Sequence, residues 1–491
     1  MQRHETSVPE HLLGIRTRVH LGRQCERPRR DPRGRRNLGE VYLRACAGTL
    51  ETGEGLNKLG RHGLVHPFRL RAALRRVAVP RRYTGVMTSL APVFLGSDLG
   101  VYSMARQFHE EFGCTSTTIA KQPRGFINDS AIVRTVILGA DATPSELLAA
   151  ADRAAEEARA SGARAVLMVN SDSQVDFVNA HREHLEARFT VLVPPPVSVD
   201  AVSDKSLLAP LARKVGLKTP REATIGQADD VRAATSSLQA PYILKPATST
   251  AWETLGFPGK LKVYVCETVD DVREHCEAAW AGGYTGTMLL QELIPGDDTA
   301  GYVTTQYVDS AGRVTIQATA RMLLAIHTPN LLGNMALGLV EWYPEFAEPI
   351  AELLTGIGYR GFATADIKVH ARTGERYLLD INPRIGRSNY FLPVGGVHPM
   401  RAAMDDADGR ESSVQRTNGS GLFRIVPTAL LSKYVTDGEL VRRARGAGRA
   451  VHPLDYARDR NLRRTLFRHA ASLNHVRNLA KVYPRPTETS F

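Results

Sequence analysis

The chain has 491 residues, of which 43% are hydrophobic, and a formal net charge of +12. That apolar fraction is enough for two to four packed domains. No apolar run approaches the roughly 20 residues a bilayer span needs, so no membrane-spanning helix is expected. The Arg-rich start lacks the apolar stretch of a signal peptide, which makes cytoplasmic residence the expectation. Cys25, Cys46, Cys114, Cys266 and Cys276 are scattered and show no CxxC spacing, so neither a disulfide framework nor a zinc site is indicated.

Where the charge lies matters more than its size. Residues 1–86 carry 19 Lys+Arg against 7 Asp+Glu, and the remaining 405 residues carry 44 of each sign. The lead has no sustained hydrophobic period and reads as a disordered, Arg-rich segment; with few aromatics for base stacking, nucleic acid is not the expected partner. From Pro92 onward, short apolar strands alternate with helical patterns, among them Val101–Phe112 and Pro144–Ala160. The natural assembly over 87–198 is an α/β domain with a doubly wound parallel sheet. No GxGxxG fingerprint occurs there, although the helix start near Asp98 can receive an anionic group. Pro194, Pro195 and Pro196 mark a boundary.

Beyond them, Ser203-Asp204-Lys205 heads a helix bearing Leu207, Leu208, Leu211 and Val215. Tyr242-Ile243-Leu244-Lys245-Pro246 is a strand with a lysine at its end. A small-residue loop follows, and a second strand is expected from Leu261 to Val265. Such a loop can close over a triphosphate, with Thr248, Ser249 and Thr250 donating hydrogen bonds and Lys245 neutralising phosphate oxygens. Lys260 and Lys262 border it. The run Met288 to Asp298 is a strand entering an irregular hinge, whose backbone can address an adenine edge. Strand-like runs follow at Tyr302 to Tyr307 and Arg313 to Arg321, and Arg321 is a candidate for holding a phosphate or acyl phosphate; a helix is expected over Pro344 to Gly356.

Asp366 then sits in an alternating run, and Tyr377 to Ile381 returns as a second strand. Across this hairpin Asp366, Asp380 and Asn382 can converge as oxygen ligands for Mg²⁺, which takes its remaining ligands from water and phosphates. Arg384 follows at once. No metal-ligand spacing links His327, His370 and His398, and no Ser-His-Asp or Cys-His arrangement stands out.

Lys205, Lys245 with its loop, Gln291 to Asp298, and Asp366/Asp380/Asn382, in that order, resemble the ATP-grasp superfamily. SDLGVYSMARQFHE, PRIGRSNYFLPVGG and the basic end from His452 extend the resemblance, over about 88–484, to carboxylate-amine ligases close to the D-aspartate ligases. It implies an ATP-grasp fold over 199–400, preceded by the α/β domain. The nucleotide clamp is expected at about 220–298, α+β in character, and the metal-bearing part at about 299–400. A basic, mostly helical extension over 401–491 completes the layout.

By the same resemblance Lys205 reaches the phosphates, Gln291 or Glu292 meets the adenine amine, and Leu293 and Ile294 meet the ring. Asp298 takes the ribose, and Arg384 with Arg321 stabilises the transferred group. The implied cofactors are ATP and Mg²⁺, and the implied substrates are a small carboxylate and an amine. The superfamily usually has glutamate where this chain has Asp380, which leaves the number of metal ions open. A biotin-carboxylase-like enzyme, a basic nucleic-acid-binding protein and a catalytically degenerate ATP-binding protein are the competing readings.

Overall fold

The computed structural model describes residues 89–491 except 204, 229, 248–250 and 253–254, and of residues 205, 206 and 330 the backbone alone. The Arg-rich lead, the helix head at Asp204, and Thr248, Ser249 and Thr250 therefore lie outside the described residues.

The first sheet contains β1 (Leu90–Leu95), β2 (Ser116–Ala120), β3 (Val133–Ile137), β4 (Arg164–Met168) and β5 (Thr190–Val191), all parallel, in the order β3-β2-β1-β4-β5. Helices α1 (Leu99–Phe112), α2 (Pro144–Ala160) and α3 (Asp172–Ala180) supply crossovers. The alanines of α2 (Ala150, Ala151, Ala154, Ala155, Ala158) recur at helical spacing and pack on Val93, Leu95, Leu167 and Val169. Thr143 and Glu146 close a capping box at its start. The chain fills one side of β1, then crosses to β4 on the other. The carboxyl ends of β1 and β4 thus form a topological switch point, where doubly wound sheets leave a crevice.

The next part is small. Helix α4 (Lys205–Lys214) leads to an antiparallel sheet of β6 (Glu222–Ile225), β7 (Tyr242–Pro246), β8 (Tyr264–Cys266) and β9 (Met288–Glu292), ordered β6-β9-β7-β8. Helices α5 (Asp230–Ser236) and α6 (Val269–Ala281) cover one face through Ile225, Leu244, Met288 and Leu290, packed with Val231, Val272 and Cys276.

The large sheet runs β14-β13-β10-β11-β12-β16-β17. Its strands are β10 (Gly301–Val308), β11 (Val314–Ala325), β12 (Met335–Val340), β13 (Gly361–Val369), β14 (Arg376–Asn382), β16 (Gly421–Arg424) and β17 (Ala450–Val451), with β15 (Gln415–Arg416) paired to β11. Helix α7 (Pro344–Gly356) lies under β13, burying Phe346, Ile350, Leu353 and Leu354 against Ala363, Ala365 and Ile367. Period-two alternation therefore turns Thr364, Asp366 and Lys368 to the other face. The basic end forms one helix, α8 (Leu462–Val482), followed by a terminal segment to Phe491. Among the described residues no helix is long and apolar enough to cross a membrane.

Candidate functional site

The register of β13 on β14 sets Asp366 directly opposite Asp380 and Thr364 opposite Asn382, with a bulge immediately after the Asp366 pair. Both carboxylates and the amide thus share the face that α7 leaves uncovered. Asn382 Nδ2 donates to Asp366 Oδ2 at 3.1 Å, and its Oδ1 accepts from Arg384 Nη2 at 2.9 Å. Burial, and next the like charge of Asp380, push the Asp366 carboxyl up to about 6, against the opposing pull of Lys262, Arg384 and Asn382. Two facing carboxylates beside an amide oxygen are a donor set suited to a hard divalent cation. To offer Oδ1 to such a cation, the Asn382 amide must turn over and exchange its present bonds.

The clamp, too, has a face that its own helices leave uncovered. Leu244 and Leu290 point into the clamp core, so Ile243, Lys245, Leu289 and Gln291 point away from it. Lys262, from the loop between β7 and β8, is near enough to act electrostatically on Asp366, and so links the clamp to β13. By sequence it is one of two equivalent loop-bordering lysines; the structure tells them apart. The other, Lys260, donates to Leu255 O at 2.6 Å and lies 5.8 Å from the Trp252 ring.

At the hinge, Gln291 Nε2 donates to Glu222 Oε2 at 2.6 Å, and Glu292 pairs with Arg221 at 3.2 Å. The Leu293 N–H is taken by Pro241 O at 3.2 Å, whereas no backbone partner of the Ile294 N–H is among those described. Asp298 is buried: its Oδ2 accepts from Ala325 N at 2.8 Å and from His327 Nε2 at 2.9 Å. His327, which carries no motif in the sequence, is thus a direct partner of the residue expected at the ribose.

Arg384 is held from behind. Its Nε donates to Asp172 Oδ1 at 2.7 Å, at the start of α3 and the carboxyl end of β4. Burial opposes its charge, yet Asp172, Asp366 and Asp380 outweigh that and raise its pKa. Arg387 approaches Asp98 at 3.4 Å, and Asn170 Nδ2 donates to Asp98 Oδ1 at 3.0 Å. The β13–β14 hairpin and the switch-point crevice therefore meet through Asp98, Asn170, Asp172, Arg384 and Arg387. Gly100 permits this approach, since a Cβ there would sit 2.9 Å from Arg387 Cα and collide with the Asn170 amide.

Two expectations need correction. Arg321 faces Tyr302 across β10 and β11, Tyr302 faces Ile367, and Tyr302 packs on Tyr343 and Phe346. Arg321 therefore lies on the α7 side, opposite to Asp366, with Nε on Thr299 O at 2.7 Å. Strand alternation sets its parity, but not which face the helix claims. The start of α1 is also no open anion site, because Asp98 itself caps it, accepting from Val101 N at 2.9 Å. The Lys205 backbone opens α4 as expected; Lys245 is half-buried on the cleft face of β7.

No family model matches the chain. It is 26% identical over 405 residues to the D-aspartate ligase of Enterococcus faecium, covering 80% of this chain and 96% of that one. It is 27% identical over 207 residues to a D-alanine–D-alanine ligase of Delftia acidovorans, covering 40% and 60% respectively. Two solved structures share the fold. The biotin carboxylase domain of Hydrogenobacter thermophilus 2-oxoglutarate carboxylase, with MgADP and bicarbonate, has TM-score 0.51 at 15% identity, over 68% of this chain and 74% of that one. Campylobacter jejuni biotin carboxylase, in a β,γ-ATP complex, has TM-score 0.50 at 15% identity, over 67% and 74%.

Proposed function

We propose that this chain, whose fold is that of the ATP-grasp proteins, is an ATP-dependent ligase joining a small carboxylate to an amine through an acyl phosphate, with release of ADP and phosphate. The observation that carries this reading is the pair Asp366 and Asp380, opposed in register on an uncovered sheet face. The charge of Lys262 reaches it from the clamp, and that of Arg384 from the crevice side. The near-full-length sequence likeness to a D-aspartate ligase supports an amine as acceptor.

In this reading the triphosphate lies between the two uncovered faces. Lys245, Lys262 and, from the head of α4, Lys205 neutralise its oxygens, while Gln291 to Ile294 meet the base and Asp298 the ribose. Asp366, Asp380 and Asn382 would hold Mg²⁺, which supplies charge neutralisation between the phosphates. Phosphoryl transfer needs positioning and charge stabilisation more than a protein nucleophile. Arg384 suits that role, because its bond to Asp172 fixes the guanidinium beside the paired carboxylates, ready for charge on the transferred group. The substrate carboxylate attacks the γ-phosphate from the crevice, and the amine then displaces phosphate from the acyl carbon. The substrates are of amino-acid or peptide-like class, and cytoplasmic work follows from the chemistry of ATP.

The test is ADP release by the purified chain, started at Met1 or at Met87, across amino acids and short peptides, with hydroxylamine to capture the acyl phosphate. Asp380→Ala should lower that release by at least about 10²-fold, as loss of metal affinity does, with folding retained. Full activity in the variant would refute the metal role.

A further inference from the structure

The ribose end of the cleft contains a buried carboxylate oxygen without a partner. Asp298 is 6% exposed; its Oδ2 takes two donors, and its Oδ1 takes none among the described residues. Leaving such an oxygen unmatched is costly, so a donor that reaches it is favoured. What backs the histidine that holds this carboxylate comes from the far end of the chain. His327 donates to Asp298, and Tyr483 stacks on His327 with ring centroids 3.6 Å apart and planes inclined by 7°. Tyr434 stacks in turn on Tyr483, with centroids 5.9 Å apart.

The residues after Tyr483 stay on the same ground. The Tyr483 hydroxyl accepts from Thr487 N at 3.0 Å, turning the segment back. Gly296 N, in the hinge, donates to Glu488 O at 2.7 Å, and Ser490 Oγ donates to Gly296 O at 3.1 Å. Lys368, one pleat beyond Asp366 on the same strand face, donates to Thr489 O at 3.1 Å. The terminal segment thus spans from the hinge to the metal strand, the two places between which a nucleoside bound in the cleft would lie.

We propose that the C-terminal segment Tyr483–Phe491 is part of the nucleotide site, and that His327 and Tyr483 are positioning residues that hold Asp298 for a hydrogen bond from the ribose of the bound nucleoside triphosphate. The segment braces the hinge through Gly296 and the strand through Lys368, while the aromatic stack fixes the imidazole that orients the carboxylate. This rests on the ligase reading only in its assignment of a nucleoside triphosphate to the cleft.

The experiment compares binding of the non-hydrolysable analogues of ATP, 2′-deoxy-ATP and 3′-deoxy-ATP, together with kcat and KM for ATP, in the full chain and its variants. The parent should favour ATP over at least one deoxynucleotide by about tenfold, one hydrogen bond of about 1.4 kcal/mol. His327→Ala and Tyr483→Ala should erase that preference and raise KM with kcat nearly unchanged. His327→Gln, which retains a donor in place of Nε2, and Tyr483→Phe, which retains the stack, should preserve it. A chain ending at Pro484 should also show the raised KM. An undiminished preference in both alanine variants would overturn the proposal, as would a parent that binds all three nucleotides equally. A parent that binds no nucleotide at all would instead remove the ligase reading.

Discussion

At one end of the cleft Asp366 and Asp380 face each other across a single hairpin; at the other, Asp298 is held by His327 and backed by Tyr483, each from a different part of the chain. The first arrangement needs only one correct strand register, which local alternation specifies. The second needs the large sheet, the terminal helix and the last residues to be in place together. In the proposed ligase, chemistry that tolerates little displacement would thus sit on rigid neighbouring strands, and recognition of the nucleoside would depend on long-range packing.

The two ends should therefore separate kinetically. Arg384→Ala should lower kcat by about 10²–10³-fold, the size seen when one stabilising donor is lost from a developing charge, while the preference for ATP over its deoxy forms stays as in the parent. Steady-state rates with the three nucleotides check both halves. A lost ribose preference would mean that Arg384 organises the whole cleft.

The Asp366 end also carries a thermodynamic signature. Burial and the neighbouring Asp380 push the Asp366 carboxyl up from an ordinary 3.8 to about 6, so the folded protein binds this proton more tightly than the unfolded chain does. The resulting destabilisation is absent at low pH, grows as pH rises from about 4 to about 6, and is complete above that. Metal-free Asp366→Asn should therefore be more stable than the parent at pH 7, by about 3 kcal/mol, and equal to it below about pH 4. Denaturant titrations with chelator decide it; a less stable variant at pH 7 would show that the carboxylate is satisfied without a cation.

The smallest effect is expected from the clamp. Lys262→Met should raise KM for ATP about tenfold with a lesser change in kcat, the value of one partly screened charge contact of about 1.4 kcal/mol. An unchanged KM would separate the clamp from the metal strands.

Much of this is legible in the sequence, for identifiable reasons. The hairpin of Asp366 and Asp380 and the helices Pro144–Ala160 and Pro344–Gly356 show clean periodicity and clear ends. Strand β2 escapes notice because Ser116, Thr117 and Thr118 interrupt the apolar signal that marks its neighbours. Arg321 is misplaced by sequence because parity along a strand does not say which face a helix will cover. Asp98, Asn170 and Asp172 form no motif at all, since their meeting with Arg384 and Arg387 depends on the switch point. The terminal Thr487-Glu488-Thr489-Ser490 reads as an ordinary polar end until its carbonyls are found on Gly296 and Lys368.

The metal-triphosphate site itself can be read from Mn²⁺ binding followed by electron paramagnetic resonance, with and without a non-hydrolysable ATP analogue. Tight binding that requires nucleotide, and that disappears in the Asp366→Asn/Asp380→Asn double variant, is the expected result. Equal Mn²⁺ binding by parent and double variant would contradict a cation held on these two strands.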